Sequence, residues 1–427
     1  MRYTSNSYLS STVTHQLSLY ILSTVTSLSH TLLYLYSNLY KVASPEIYGV
    51  VVHHIVNFPR VLEHLIQKYI DDHEVQLSPE TKGSKDVEFL WSWDGLSAFN
   101  HKNQKQSLTM LYIRLTKFGK QIPQDPLSPF NSVPLVIIGK DELQCRTQLM
   151  GKMEDYMKSV QEQAIRIGGM YFKCSFLKGA DYKALGFDIG HGMVGMASSC
   201  NFCLYNPQCH RQAGMTREEI KESNHFLKGE EDLVENSDHI IDSLHLKIRV
   251  INTRLEQLAE AFGSPPSLWG SPPSLWDIIK EKTGVWRAVT GYNGNDVTVI
   301  LAAYETWLPE VVSDKKSQWY ELFALYNHLF PILLSIKPTK DEIESAASLV
   351  AQIRDVYKQM DLHAVLYDHH LLWHCVQLMR LHGSLGLYSM QATEHQNKYV
   401  KKAFKCHTMP NKREEQTLTN NFLSRLL

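Results

Sequence analysis

This chain of 427 residues predicts an α/β protein: a mixed sheet flanked by helices, then a large helical insertion, then a returning helix. Three observations carry that expectation. From about Asp86 the apolar residues fall into strand-length runs, three before a long helical pattern and another after it. Past Cys203 the pattern changes to helical segments with polar faces. Near the C-terminus an amphipathic stretch, "HHLLWHCVQLMRLHGSLGLYSMQATEHQNK" from His369 to Lys398, resumes helical spacing. Strands followed by strand-helix-strand is the order of a mixed sheet with helices packed on it. The length suffices for a large core and two or three units. The expected divisions are 1–85, an N-terminal helical region with no assigned role; 86–204, the first part of the sheet core; 205–375, the helical insertion; and 376–427, the returning helix with a basic tail.

The N-terminal region contains "LSLYILSTVTSLSHTLLYLYSNLY", Leu17 to Tyr40. Ser, Thr, His30 and Asn38 interrupt its apolar run, and no small-residue cleavage site follows an apolar core. A buried packing or dimerisation segment is expected there, and no membrane span.

In the sheet region, "VEFLWSWDGLSAF" is an apolar run that reaches Asp94 and Gly95. "SLTMLYIRLTKF" alternates with period two, and "VPLVIIGKDE" reads as a buried central strand ending at Asp141. "ELQCRTQLMGKMEDYMKSVQEQAIRI" reads as a long helix, and "MYFKCSFLKG" as a strand after Gly168-Gly169. Further on, "SPPSLWGSPPSLWD" (Ser264–Asp277) is a near-exact tandem duplication of seven residues. Its four prolines exclude a helix interior, so a loop or linker is expected.

Charge and cysteine content narrow the function classes. Formal net charge is −1, so no global basic field advertises nucleic-acid binding, and any DNA contact must come from local patches. Seven cysteines, an odd number without a secretory signal, argue for a reducing intracellular compartment and metal ligands over a disulfide framework.

Two aspartates stand where central strands are expected to end, Asp94 after "FLWSW" and Asp141 after "PLVIIGK". Neighbouring strand ends lie close together, and their hard oxygen ligands suit Mg²⁺ or Mn²⁺. A third carboxylate from a distant helix would complete a two-ion site that activates the attacking oxygen and stabilises the leaving oxygen of a phosphodiester; Glu394 is the candidate. Strand-end aspartates also serve as plain turn residues. The basic run after Glu394, with Lys398, Lys401, Lys402 and Lys405, reads as a phosphate-tracking strip or as an ordinary solvated helix face.

"SSCNFCLYN" supplies Cys200 and Cys203, a C-x-x-C pair that needs two further ligands to close a tetrahedral zinc site. Cys209 and His210 offer a local option, but neighbouring residues rarely point at one ion together. The distant option is the histidine cluster. On an ideal helix His370 and His374 share a face, whereas His369 and His374, five apart, do not.

Taken in order, these residues resemble the catalytic core of the V(D)J recombinase, the recombination-activating protein 1 family, and its Transib transposase relatives. The H-x-x-x-x-H pair His369 and His374, "GSLG" at Gly383–Gly386, Glu394, Asn397-Lys398 and "YVKKAFK" follow the end of that core. Upstream, "WDGLSAF", "PLVIIGKDE", "SSCNFC", "DSLHLKI" with His245, and "YNGN" (Tyr292 to Asn295) resemble its other short motifs. Each is weak alone; their joint order spans roughly Asp86 to Lys405.

The resemblance implies an RNase H-like fold, a DDE recombinase core interrupted by a zinc-bearing helical insertion. It implies Asp94, Asp141 and Glu394 as catalytic ligands of Mg²⁺ (or Mn²⁺), and Cys200, Cys203, His369 and His374 as ligands of Zn²⁺, thereby selecting His369 over His370. DNA nicking and strand transfer, a homodimer, a second recombinase subunit and a nuclear location follow from the same source. The chain departs from the family in lacking counterparts of the vertebrate N-terminal zinc-binding and ubiquitin-ligase regions and of the Gly-Arg-Pro-Arg type DNA-binding element. A second class is therefore carried alongside: a catalytically silent, zinc-stabilised DNA-binding or interaction protein derived from a transposon.

Overall fold

A computed structural model describes residues 42–43, 46–47, 50–55, 57–73, 85–101, 104–128, 131–138, 143–180, 200, 202, 238–262, 273–289 and 291–398. The fold is mixed α/β. Short strands β1 (Val42–Ala43), β2 (Glu46–Ile47) and β3 (Val50–Ile55) lead into α1 (Phe58–Asp72). Then come β4 (Lys85–His101), β5 (Gln104–Phe118), β6 (Ser132–Ile138), α2 (Leu143–Gln163), β7 (Ile165–Ile167), β8 (Met170–Ala180) and β9 (His239–Ile241). Among the described residues these strands form one curled sheet in the order β1-β3-β6-β5-β4-β8-β7, with β2 on β3 and β9 on β8. β4, β5 and β6 pair antiparallel, whereas β8 runs parallel to both β4 and β9.

Strand alternation divides β4 between two cores. Val87, Phe89, Trp91 and Trp93 face α1 and α2 and are buried with Phe58, Leu62, Ile66, Met153 and Met157. Leu90, on the opposite face, joins a separate core made by the helical part of the chain. Helices therefore cover both faces, which is why β4 reads as a near-continuous apolar run.

The helical part comprises α3 (Ser243–Ala261), α4 (Leu275–Thr283), α5 (Gly294–Ala302), α6 (Tyr304–Val311), α7 (Gln318–Leu333), α8 (Lys340–Gln359), α9 (Leu366–His369) and α10 (Cys375–His382), with 391–398 also helical. Its ends are capped by side chains. Asp242 starts α3, and Ser274, Asn293 and Thr339 form capping boxes on α4, α5 and α8.

Several elements differ from the sequence expectation. β4 does not stop at Asp94; it continues to His101 because Gly95 and the following residues pair with β5. Asp94 instead lies one residue past the end of the parallel β4–β8 ladder, at Trp93↔Ala180. The expected long helix ends at Gln163, where Ala164 takes a left-handed φ of 54°, and β-branched "IRI" becomes β7. Gly168 and Gly169, with φ of 56° and 84°, close the two-residue β7–β8 hairpin. In the duplicated segment the last residues are helical: after Pro272-Pro273, Ser274 caps α4 and Asp277 returns the bond to its backbone. The region 1–85, expected to be helical, contains strands β1–β3 beside α1. No helix among the described residues is long and apolar enough to cross a membrane, and Leu17–Tyr40 lies outside them.

Candidate functional site

The face of β4 and β5 that meets the helical part is polar along one strip. Ser92 pairs with Tyr112, Leu90 with Arg114 and Asp94 with Met110 in the antiparallel ladder. The helical segment 391–398 docks on this strip. Ser92 Oγ and Thr393 Oγ1 are 3.1 Å apart, Tyr112 donates its hydroxyl to Asn397 Oδ1 at 2.6 Å, and Asn397 Nδ2 donates to Asp94 Oδ2. Spacing explains the match. Four helical residues rise about 6 Å, close to the roughly 6.6 Å that separates two same-face residues of a strand. Asp94 is thus gripped by a residue one helical turn beyond Glu394, from the far end of the chain.

The turn ahead of this helix fixes its placement. Gly383 ends α10 with φ of 84°, a left-handed cap that favours glycine. Ser384 Oγ donates to Ser335 O at 2.7 Å and accepts from Leu387 N–H at 3.0 Å. Gly386 packs so closely on the α7–α8 connection that an added Cβ would sit 2.2 Å from Leu334 O. The "GSLG" motif is therefore a cap, a hydrogen-bonding hinge and a point of backbone contact. Arg114 then clamps the chain: its buried guanidinium donates to Leu387 O at 2.9 Å, Ser389 O at 3.0 Å and Pro126 O at 2.9 Å. Burial lowers its pKa to about 10, against the pull of Asp242 and Tyr388.

Glu394 is half-buried and faces α3. His245 Nε2 lies 3.5 Å from Glu394 Oε1, while His245 Nδ1 bonds Asp242, the N-cap of α3. Asp242 also accepts from the backbone N–H groups of Leu244, His245 and Met390. Burial alone would raise the Asp242 carboxyl, but His245 and these backbone donors hold it below the usual carboxylate range. The Glu394 carboxyl is pushed up, chiefly by burial and further by Asp242, against the lowering pull of His245, Lys398 and His395. A crowded, partly desolvated carboxylate of this kind gains from a bound cation, and its donor chemistry fits a hard ion.

A second constellation lies on the helical side. The backbone between α9 and α10 forms a π-helical turn, His370–His374, in which Cys375 N–H bonds His370 O five residues back. A wider turn rotates His374 into line with His369. The two Nε2 atoms are 3.1 Å apart, and with Cys200 Sγ their ligand atoms all lie within 4.8 Å of one another. Two nitrogens on a tetrahedral zinc would be about 3.3 Å apart, from Zn–N distances of roughly 2.05 Å. All three residues are buried, and Phe202 N–H donates to Cys200 Sγ at 3.3 Å, a bond that favours a thiolate. The donors present fit zinc. His370 is also buried but turns to Phe202, with ring centroids 5.4 Å apart in an edge-on arrangement. Just ahead of His369, the fully buried Asp368 is paired with Arg254 at 2.7 Å and accepts from Tyr357 at 2.8 Å, tying this end of the site to α3 and α8.

Of the residues nominated from sequence, Asp94 and Glu394 are brought to adjoining elements, and Cys200, His369 and His374 to one cluster. Asp141, Cys203, Lys401, Lys402 and Lys405 lie outside the described residues, while Lys398 is exposed. In the sequence Asp242 and His245 stand only within a short D-x-L-H motif, and no local signal marks Arg114, which clamps the backbone ahead of Glu394. Asn397 stands in the N-K pair, the one sequence signal that points to it. Compared with known proteins, the chain matches no family profile and no curated sequence.

Proposed function

We propose that this chain is the core of a DNA transposase or recombinase of the V(D)J recombinase and Transib type. The observation that carries the reading is the joining of Asp94 to the helix of Glu394 through Asn397. A strand acid and an acid on a helix distant in sequence lie on elements joined by one side chain, and an oriented histidine faces the second acid. The sheet, with three antiparallel strands followed by two parallel ones and helices on both faces, supports an RNase H-like core.

In this reading Asp94, Glu394 and Asp141 hold Mg²⁺ or Mn²⁺, which supplies charge stabilisation at the attacking and leaving oxygens. The chain's own residues do the rest. Asn397 and Tyr112 fix the Asp94 carboxylate, and Arg114 and Asp242 fix the backbone that carries Glu394. Asp242 orients His245 so that Nε2 faces Glu394 beside the reacting phosphodiester. Water breaks one P–O3′ bond to leave a 3′-hydroxyl and a 5′-phosphate. The freed 3′-hydroxyl then attacks a second phosphodiester, whose own 3′-oxygen leaves. Cys200, Cys203, His369 and His374 would hold a structural Zn²⁺ that staples the helical insertion to the sheet core. Lys398, Lys401, Lys402 and Lys405 track DNA phosphates; a homodimer working with a second recombinase subunit in the nucleus completes the proposal.

The test is nicking of supercoiled or terminal-repeat DNA in Mg²⁺ or Mn²⁺. Wild-type protein should nick, and Asp141→Ala should abolish nicking with folding nearly unchanged. Nicking that survives Asp141→Ala removes the active-site assignment. A wild-type protein that binds zinc and DNA but never cuts would be the silent transposon derivative.

A further inference from the structure

We propose that Gln377 selects the metal-binding nitrogen of His374. This rests on reading Cys200, His369 and His374 as a zinc centre, and it adds a residue outside the ligand set. After the π-turn, the α-helix resumes at Cys375, so Gln377 returns to the face of His374 three residues on. Its Oε1 lies 3.1 Å from His374 Nδ1. In this proposal the amide oxygen accepts, which places the imidazole proton on Nδ1. A neutral imidazole has one N–H and one lone pair. The lone pair is then on Nε2, the atom 3.1 Å from His369 Nε2, within the cluster that the two histidines form with Cys200. Gln377 is half-buried and fixes both the tautomer and the ring orientation before the ion arrives.

The geometry also explains why the wide turn is useful. It brings His374 round to His369 and, in the same step, leaves one ordinary turn between His374 and the residue that orients it. Without an acceptor at 377, the ring would be free to protonate Nε2 or to rotate, and either change removes a zinc donor.

The experiment uses the full chain and zinc alone, titrated in competition with a chromophoric chelator. Wild-type protein should bind one zinc per chain, Gln377→Leu should bind roughly 10–100-fold more weakly, and Gln377→Glu, which keeps an acceptor, should bind at least as tightly as wild type. Nitrogen-15 imidazole spectra of the zinc-free wild type should show His374 as the Nδ1–H tautomer, a readout that does not depend on whether a variant folds. Cys200→Ser serves as the reference for the centre itself. If wild type binds no zinc, or Cys200→Ser binds as well as wild type, the centre is misread and the proposal goes with it. If zinc needs Cys200 but Gln377→Leu binds like wild type, or Gln377→Glu is as weak as Gln377→Leu, or His374 is Nε2–H in the free protein, the role of Gln377 alone is overturned.

Discussion

Replacing Asp368 by asparagine should be among the most damaging conservative changes in this protein. Arg254 is fully buried, and its guanidinium is held by Asp368 at 2.7 Å and His363 O at 3.1 Å. Burial alone would lower the guanidinium pKa; the Asp368 carboxylate beside it holds it above its ordinary value. The same carboxylate accepts from Tyr357 at 2.8 Å and from Val365 N–H at 2.7 Å, closing the first turn of α9. Removing one partner of a buried ion pair costs about 3–5 kcal/mol, because the other charge stays buried without compensation. An amide keeps one acceptor, so the lower end, about 3 kcal/mol, is the working figure. Urea unfolding followed by tryptophan fluorescence reads it directly. The double variant Arg254→Met/Asp368→Leu removes both charges and should recover most of the loss. A loss below about 1 kcal/mol for Asp368→Asn, or a double variant less stable than the single one, would mean that Asp368 does not compensate a buried Arg254 charge.

Three further outcomes follow from the site. Gly386→Ala places a Cβ 2.2 Å from Leu334 O and 2.6 Å from Ser335 O, so backbone must move; a loss of about 1–3 kcal/mol is expected, and an unchanged denaturation midpoint would contradict the close approach. Glu394 has a folded-state pKa raised by burial and Asp242, so its ionisation works against folding. That penalty is absent below the unfolded value of about 4.3 and complete above the folded value, so in chelator Glu394→Gln should be more stable than wild type at pH 7 and equal to it at acid pH. A variant no more stable at pH 7 would count against the buried carboxylate. Alanine at Lys398, Lys401, Lys402 and Lys405 together should reduce the slope of log DNA affinity against log salt by roughly 0.9 for each phosphate that a lysine had neutralised, whereas an unchanged slope would assign the run to a solvated face.

The sequence made some of this legible and hid the rest for physical reasons. The alternation of β5 is plain, but it reads as one apolar and one solvent face. Arg114 and Tyr112, on the polar side, are in fact buried by a segment more than 270 residues away. Asp94 is recognisable as an acid after a buried run, yet the strand continues because the hairpin partner is supplied by β5, and no local residue announces that pairing. Helical spacing points to His370 beside His374. A π-turn changes the number of residues per turn, so His369 is the neighbour, and only the motif resemblance pointed there. Ala164 ended a helix that pattern alone carried through to Ile167, since a left-handed alanine leaves no compositional mark.

If Asp94, Asp141 and Glu394 line one cation site as proposed, an ion bound there can be made to report its neighbours. Iron(II) bound in place of magnesium, with ascorbate and peroxide, cuts the polypeptide beside the residues that hold it. Three cuts are predicted, near 94, 141 and 394, all suppressed by excess Mg²⁺ and all lost in Glu394→Gln. Cutting near only one of these positions, or cutting that persists in Glu394→Gln, would rule out a shared cation site.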